Sequence, residues 1–142
     1  MASGDELVRL TATQAVALLR QREITPLELI DAAEERIAAI DSEVNALPIT
    51  FFDAARRIAR RLPASAPRGD SHPGWLAGLP IVAKDYNDVA GQLTTYGSPI
   101  FANAIGEDDL EAVRQTLFNA GNLTQPYHSV NTDVNKRICF LD

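Results

Sequence analysis

Leu79-Pro80-Ile81-Val82-Ala83-Lys84-Asp85 is the stretch on which the fold turns. Its first five residues are apolar without alternation, and the run then stops at a lysine and an aspartate. That pattern predicts a strand buried on both faces of a parallel sheet and ending at Lys84, in a protein of the α/β class. In open α/β sheets, ligands gather outside the carboxyl ends of the strands. A cationic side chain delivered there by a rigid element is placed to act on a substrate.

Working outward towards the N-terminus, Thr11 and Gln14 have capping-box spacing, with Leu10 and Ala15 available as a hydrophobic staple. A helix is expected there, turning Ala15, Leu18 and Leu19 to one face and fading around Arg20-Gln21-Arg22-Glu23. Thr25-Pro26-Leu27-Glu28 repeats the signal with a proline in the first turn. The second helix carries Leu27, Ile30, Ala33, Ile37 and Ile40 in one stripe. Val44-Asn45-Ala46-Leu47-Pro48-Ile49-Thr50 reads as a weak edge strand interrupted by proline. From Asp53 to Leu62 a third helix places Ala55, Ile58, Ala59 and Leu62 on one side and Arg56, Arg57, Arg60 and Arg61 on the other. Those arginines could form an anion or partner site, but in so acidic a chain they read first as a solvated face.

Residues 63–74 are rich in Pro, Gly, Ser and Ala and read as a loop, with His72 exposed in it. Beyond Asp85, residues 86–99 form a long irregular segment dense in small and hydroxyl residues, of a kind that is functional or mobile in compact domains. Asp108, Asp109 and Glu111 open a last expected helix that turns Leu110, Val113 and Leu117 inward and ends at Gly121.

With 142 residues, 46% of them hydrophobic and 23% charged, the chain has the size and composition of one globular domain. Its net charge of −6 argues against a nucleic-acid or anionic-membrane partner. No apolar run approaches the roughly 20 residues of a membrane span. The start, Met1-Ala2-Ser3-Gly4-Asp5-Glu6, lacks the basic and apolar regions of a signal peptide, so a cytoplasmic protein is expected. One cysteine, Cys139, and two histidines, His72 and His128, give neither an internal disulfide nor a metal-ligand spacing.

The order of these pieces resembles the amidase signature family. Leu76-Ala77-Gly78-Leu79-Pro80-Ile81-Val82-Ala83-Lys84-Asp85 looks like its L-x-G-[IL]-P-x-x-x-K-D stretch. Asp88-Val89-Ala90-Gly91 and Thr94-Thr95-Tyr96-Gly97-Ser98 look like the trailing D-x-x-G and T-T-x-G-S. The two capped helices and the Asn45-Ala46 turn after Asp41 are similar to its opening. The resemblance covers roughly residues 8–121.

It implies an α/β enzyme with a mixed central sheet flanked by helices, hydrolysing carboxamide C–N bonds through a Ser-cisSer-Lys triad. Lys84 matches the lysine. Within residues 94–98, Thr95, Gly97 and Ser98 are candidates to border the substrate cleft, although Gly97-Ser98-Pro99 is also ordinary turn chemistry. A lysine with its ordinary pKa near 10.4 is a poor base at neutral pH, so such a site must favour the neutral amine. The amine then draws a proton through a bridging serine from the nucleophilic serine, and an acyl-enzyme forms and is hydrolysed. No cofactor and no metal are implied.

The resemblance stops near residue 121, where Asn122-Leu123-Thr124-Gln125-Pro126-Tyr127-His128 stands in place of an apolar strand. No Gly/Ser-rich segment follows, and Ser129 stands alone in polar sequence. Residues 1–121 are therefore read as the N-terminal part of an amidase domain, with its sheet incomplete. Residues 122–142 read as a divergent tail arising from a frameshift, truncation or altered splice. Such a chain is expected to be inactive alone and to expose apolar surface. Its partners would be a small amide substrate in the complete enzyme and a second copy or a complementing polypeptide. Two other readings stand beside this one: a noncatalytic helical interaction module, and one piece of an amidotransferase-like complex.

Overall fold

A computed structural model of the protein describes residues 3–62 and 76–107 and the backbone strand at Lys136–Cys139. Four helices come first: α1 (Gly4–Leu7), α2 (Ala12–Gln21), α3 (Pro26–Val44) and α4 (Phe52–Ala59). They are followed by strand β1 (Ile81–Lys84), a short 3-10 turn at Pro99–Phe101, and strand β2 (Lys136–Cys139).

Each of the first three helices starts on a reciprocal capping box. Thr11 Oγ1 accepts from the Gln14 N–H, and Gln14 Oε1 accepts from the Thr11 N–H. Thr25 and Glu28 exchange the same pair of bonds with Pro26 in the first turn. Ser3 and Glu6 do so for α1, a one-turn helix absent from the sequence expectations. Two donors that a helix N-terminus leaves open are thus satisfied at each start. Arg22 and Asn45 end α2 and α3 in the left-handed conformation.

α3 is buried on two faces rather than one. Leu29 and Ala32 close a cluster with Leu7, Ala15, Leu19 and Ile24 from α1, α2 and the turn between α2 and α3. Ile30, with Ala33 and Ile37, packs against Ala55, Phe52 and Ile58 of α4. The predicted stripe is the second of these faces; Leu29 and Ala32 lie outside it.

Across the α3–α4 contact, the Arg56 guanidinium donates to Asp31 Oδ1 through Nε and Nη2 at 3.0 and 2.7 Å, and through Nη2 to Glu34. The solvated-face reading is therefore corrected for Arg56, which ties two helices, while Arg57, Arg60 and Arg61 keep at least part of their surface in solvent. The bonds to Glu34 and then Asp31 hold this guanidinium protonated beyond its ordinary range. A raised pKa leaves the contact intact at any pH below the ordinary arginine value, so the guanidinium's own titration adds no pH dependence at neutral pH. The Asp31 and Glu34 side chains keep 58% and 42% of their surface in solvent, which limits the worth of the contact. Arg56→Ala is expected to cost about 1 kcal/mol. That loss should shrink in molar salt, a dependence readable from urea midpoints at two ionic strengths.

The weak edge strand at Val44–Thr50 does not form. Val44 ends α3, and Ile49 alone makes an isolated bridge. Asp41 supplies the reason, since its Oδ1 accepts from the Ala46 and Leu47 N–H groups at 2.8 and 3.2 Å. With those donors taken and Pro48 lacking one, little remains for a ladder.

Before β1, the Leu79 N–H donates to the Leu76 carbonyl at 3.0 Å, closing a turn whose central residues, Ala77 and Gly78, have φ of 56° and 87°. Positive φ at both positions is the type I′ pattern. A Cβ on Gly78 would lie 2.6 Å from Cγ of the rigid Pro26 ring and 2.7 Å from Leu62 Cδ1. Gly78→Ala is expected to destabilise by roughly 2 kcal/mol, from backbone strain and this clash together, and to lower the urea midpoint at unchanged slope. Ala77 and Leu79 pack on the cluster formed by α1–α3, which anchors β1 to the helices.

Two expectations for β1 are corrected. Its described partner is antiparallel, with Ile81 opposite Cys139 and Lys84 opposite Lys136. Its faces also differ, since Ala83 is buried and Val82 is 45% exposed. The Val82 face is the more open of the two, and a strand with unequal faces shows period-two burial whatever its composition. β2 falls in the segment read as a divergent tail. The loop at 63–74 with His72, the last expected helix, the boundary near residue 121, His128 and Ser129 lie outside the described residues.

Candidate active site

Successive side chains of a strand point to opposite faces. Ala83 lies inward against Val89 and Phe51. Lys84 therefore shares the outer side with Val82 and is half-buried, while the next residue, Asp85, turns inward and is only 2% exposed. One step of backbone separates a presented cation from a buried anion.

The Lys84 Nζ sits over the ring of Tyr86, 4.5 Å from its centre, in cation–π contact. The Asn87 N–H donates to the Lys84 carbonyl at 2.9 Å, so the chain turns immediately after the strand. No sequence motif pointed to Tyr86; an aromatic two residues after a strand-end lysine is the one signal that could have done so.

Asp85 is held by the segment that resembles T-T-x-G-S. Its Oδ1 accepts from the Thr95 N–H at 2.9 Å, and its Oδ2 accepts from the Gly97 N–H at 3.2 Å and from the Thr95 hydroxyl. Its backbone carbonyl accepts from the Tyr96 N–H at 3.1 Å. Three consecutive amides thus converge on one residue. This requires a tight curl, and Tyr96 and Gly97 both have positive φ, 53° and 67°. Glycine adopts that conformation freely; Tyr96 is the costlier case. Such a curl of amides resembles an anion nest, and here its first and third N–H groups take the chain's own carboxylate while the second takes the carbonyl of the same residue.

The nest is backed by a second layer. The Thr94 side chain is 1% exposed, and its N–H donates to the Ala104 carbonyl at 2.8 Å. The Gly91 N–H donates to the Gly106 carbonyl of the same returning segment at 2.8 Å, and the Gly106 N–H donates back to the Gln92 carbonyl at 2.9 Å. The Tyr96 hydroxyl donates to Asp88 Oδ1 at 2.7 Å, and its ring meets Phe101 edge-on at 5.1 Å. Ser98 Oγ accepts from the Ile100 N–H at 3.3 Å and opens the 3-10 turn.

Of the residues singled out in the sequence, Lys84 stands at the strand end as expected, and Thr95 and Gly97 are brought beside it through Asp85. Their inward donors serve that carboxylate, and Ser98 serves as a cap. Among the described residues there is no group of three or more His, Cys, Asp or Glu arranged to hold a metal ion. Nor is any described helix long and apolar enough to cross a membrane.

Comparison with known proteins gives a consistent result. The family model described as Amidase matches residues 28–124. Over 116 residues the chain is 35% identical to a glutamyl-tRNA(Gln) amidotransferase subunit of Acidothermus cellulolyticus, covering 82% of this chain and 23% of that protein. It is 37% identical over 107 residues to the protein of the same name from Roseiflexus castenholzii, covering 75% and 21%. It is also 34% identical over 93 residues to a Pseudomonas putida protein named Amidase, covering 66% and 20%. The chain spans less than a quarter of the length of these relatives. No solved structure gives a significant match. With more than half of its residues inside the family model, and with its lysine-bearing strand and looped T-T-Y-G segment inside that match, the chain belongs to the amidase family.

Proposed function

We propose that this chain contributes the lysine-bearing part of an enzyme that hydrolyses carboxamide C–N bonds, releasing a carboxylate and ammonia or an amine. The observation that carries the reading is the position of Lys84 at the end of β1, with the residue after it locked in place. A fixed backbone under a flexible amine is what a proton-transfer group needs.

In this reading Lys84 is the base of a Ser-cisSer-Lys triad. Its amine takes a proton from a bridging serine hydroxyl, which in turn takes the proton of the nucleophilic serine as that serine attacks the amide carbonyl. The tetrahedral intermediate collapses with loss of the amine or ammonia, and water hydrolyses the acyl-enzyme. The two serines come from further amidase sequence, carried by the same polypeptide or by a second one. The 142 residues alone are inactive. Two relatives bear the name of an amidotransferase subunit, which supports a part played within a complex.

The test is complementation. The chain is mixed or co-expressed with the remaining segment of the Acidothermus cellulolyticus relative, and ammonia release from primary carboxamides is followed. Hydrolysis that needs both polypeptides and is lost with Lys84→Met supports the reading. A stable complex without hydrolysis supports instead a noncatalytic interaction module, a reading favoured by the exposed Ile100, Phe101 and Ile105.

A further inference from the structure

Residue 85 is bonded through both its side chain and its backbone. Its carboxylate takes two backbone N–H groups and one hydroxyl, and its carbonyl takes a third N–H. It is also flanked by the two residues whose side chains meet, Lys84 and Tyr86. On the strand side, Lys84 is held by its pairing opposite Lys136. Beyond it, the turn closed by the Asn87 N–H bends the chain, and residue 85 ties that bend to the loop. A free strand end frays; this one is fastened.

We propose that Asp85 is a positioning residue for Lys84, and that the Thr95 hydroxyl is the removable half of its clamp. The buried carboxylate takes the Thr95 and Gly97 N–H groups while the backbone carbonyl takes that of Tyr96, and residue 85 so sets both the lysine Cα and the aromatic face on which the amine rests. The loop segment Thr94–Gly97 acts through Asp85 on the lysine, not by touching substrate. This inference rests on the reading of Lys84 as the reactive amine, but its test uses no catalysis. The two can therefore fail separately.

The sequence holds two lysines, Lys84 and Lys136, so amine labelling can be assigned by peptide mass spectrometry. The full chain is treated with a limiting amount of acetic anhydride, and the modification rate of Lys84 is taken relative to the α-amino group. In Thr95→Val, which keeps the shape and removes the hydroxyl donor, Lys84 should label severalfold faster. Amide exchange at Thr95 and Gly97 should accelerate by about tenfold or more, the factor expected for losing one hydrogen bond to a charged group. Thr95→Ser should restore both values. Arg56→Ala, which loosens the α3–α4 contact and touches none of the bonds to residue 85, should leave Lys84 labelling at the wild-type rate. The proposal is overturned if Thr95→Val accelerates loop exchange but leaves Lys84 labelling unchanged, because the clamp is then local. It is overturned equally if Thr95→Ser fails to restore the labelling. Should the valine variant not fold, the wild-type chain decides. The Thr95, Tyr96 and Gly97 amides must exchange far more slowly than in a free peptide, and exchange at the free-peptide rate sinks the idea.

Discussion

Lys84→Met in the complemented enzyme is expected to lower the rate of amide hydrolysis about a thousandfold, within the range for removal of a general base. Methionine keeps the unbranched shape of the side chain and can still lie on the Tyr86 ring, so the strand end is undisturbed and stability should change little. The informative companion is Lys84→Arg. Arginine preserves the positive charge and the stacking on the ring, but it does not give up its proton in proteins. A base role predicts that both variants are inactive. A purely electrostatic role predicts that arginine retains most of the activity. Single-turnover measurement of acyl-enzyme formation separates the chemical step from assembly of the two polypeptides, which gel filtration monitors independently.

Ile30→Ala is expected to carry the largest loss of stability, about 4 kcal/mol. Ile30 is 0% exposed and is the largest apolar side chain buried so completely among the described residues. It sits where α3 meets α4, opposite Ala55, itself 2% exposed. A neighbour as small as alanine cannot move in to fill the space, so the cavity term adds to the lost transfer energy. Ile30→Val removes one methylene and should cost about 1 kcal/mol. The ratio of the two losses, read from urea unfolding at a common slope, reports how rigidly α3 and α4 are held. Equal and small losses would show that the helix pair is loosely packed.

Much of the helical part is legible because its signals are local. A threonine followed three residues later by Gln14 or Glu28 names a helix start from four consecutive residues, and both starts stand where that spacing puts them. The second buried face of α3 is not legible. Leu29 and Ala32 gain their meaning only once α1 is known to lie against them, and α1 is one turn long with Leu7 its one buried residue. The strand is marked by its apolar run, but its partner and its open face depend on residues more than fifty positions away. The expected strand after α3 fails because a side chain, Asp41, outcompetes a ladder for the same donors. At the site, Lys84 is marked by its place at the end of the run. Asp85 reads as a turn former or a partner for the lysine, since nothing in a linear reading shows that Thr95 and Gly97, ten and twelve residues on, are aimed at it.

The adjacency of Lys84 and Asp85 has a consequence for how this segment can vary in length. Because side chains alternate along a strand, loss or gain of one residue between Leu79 and Ala83 would rotate everything after it by half a turn. The ammonium would then face the interior beside Val89, and the carboxylate would face outward, leaving the amides of Thr95 and Gly97 with nothing to hold. A two-residue change would keep the parity but pull the dipeptide out of reach of the loop. Point substitutions among Ile81, Val82 and Ala83 are far milder, since they alter packing without touching register. This strand is therefore open to change in composition and closed to change in count.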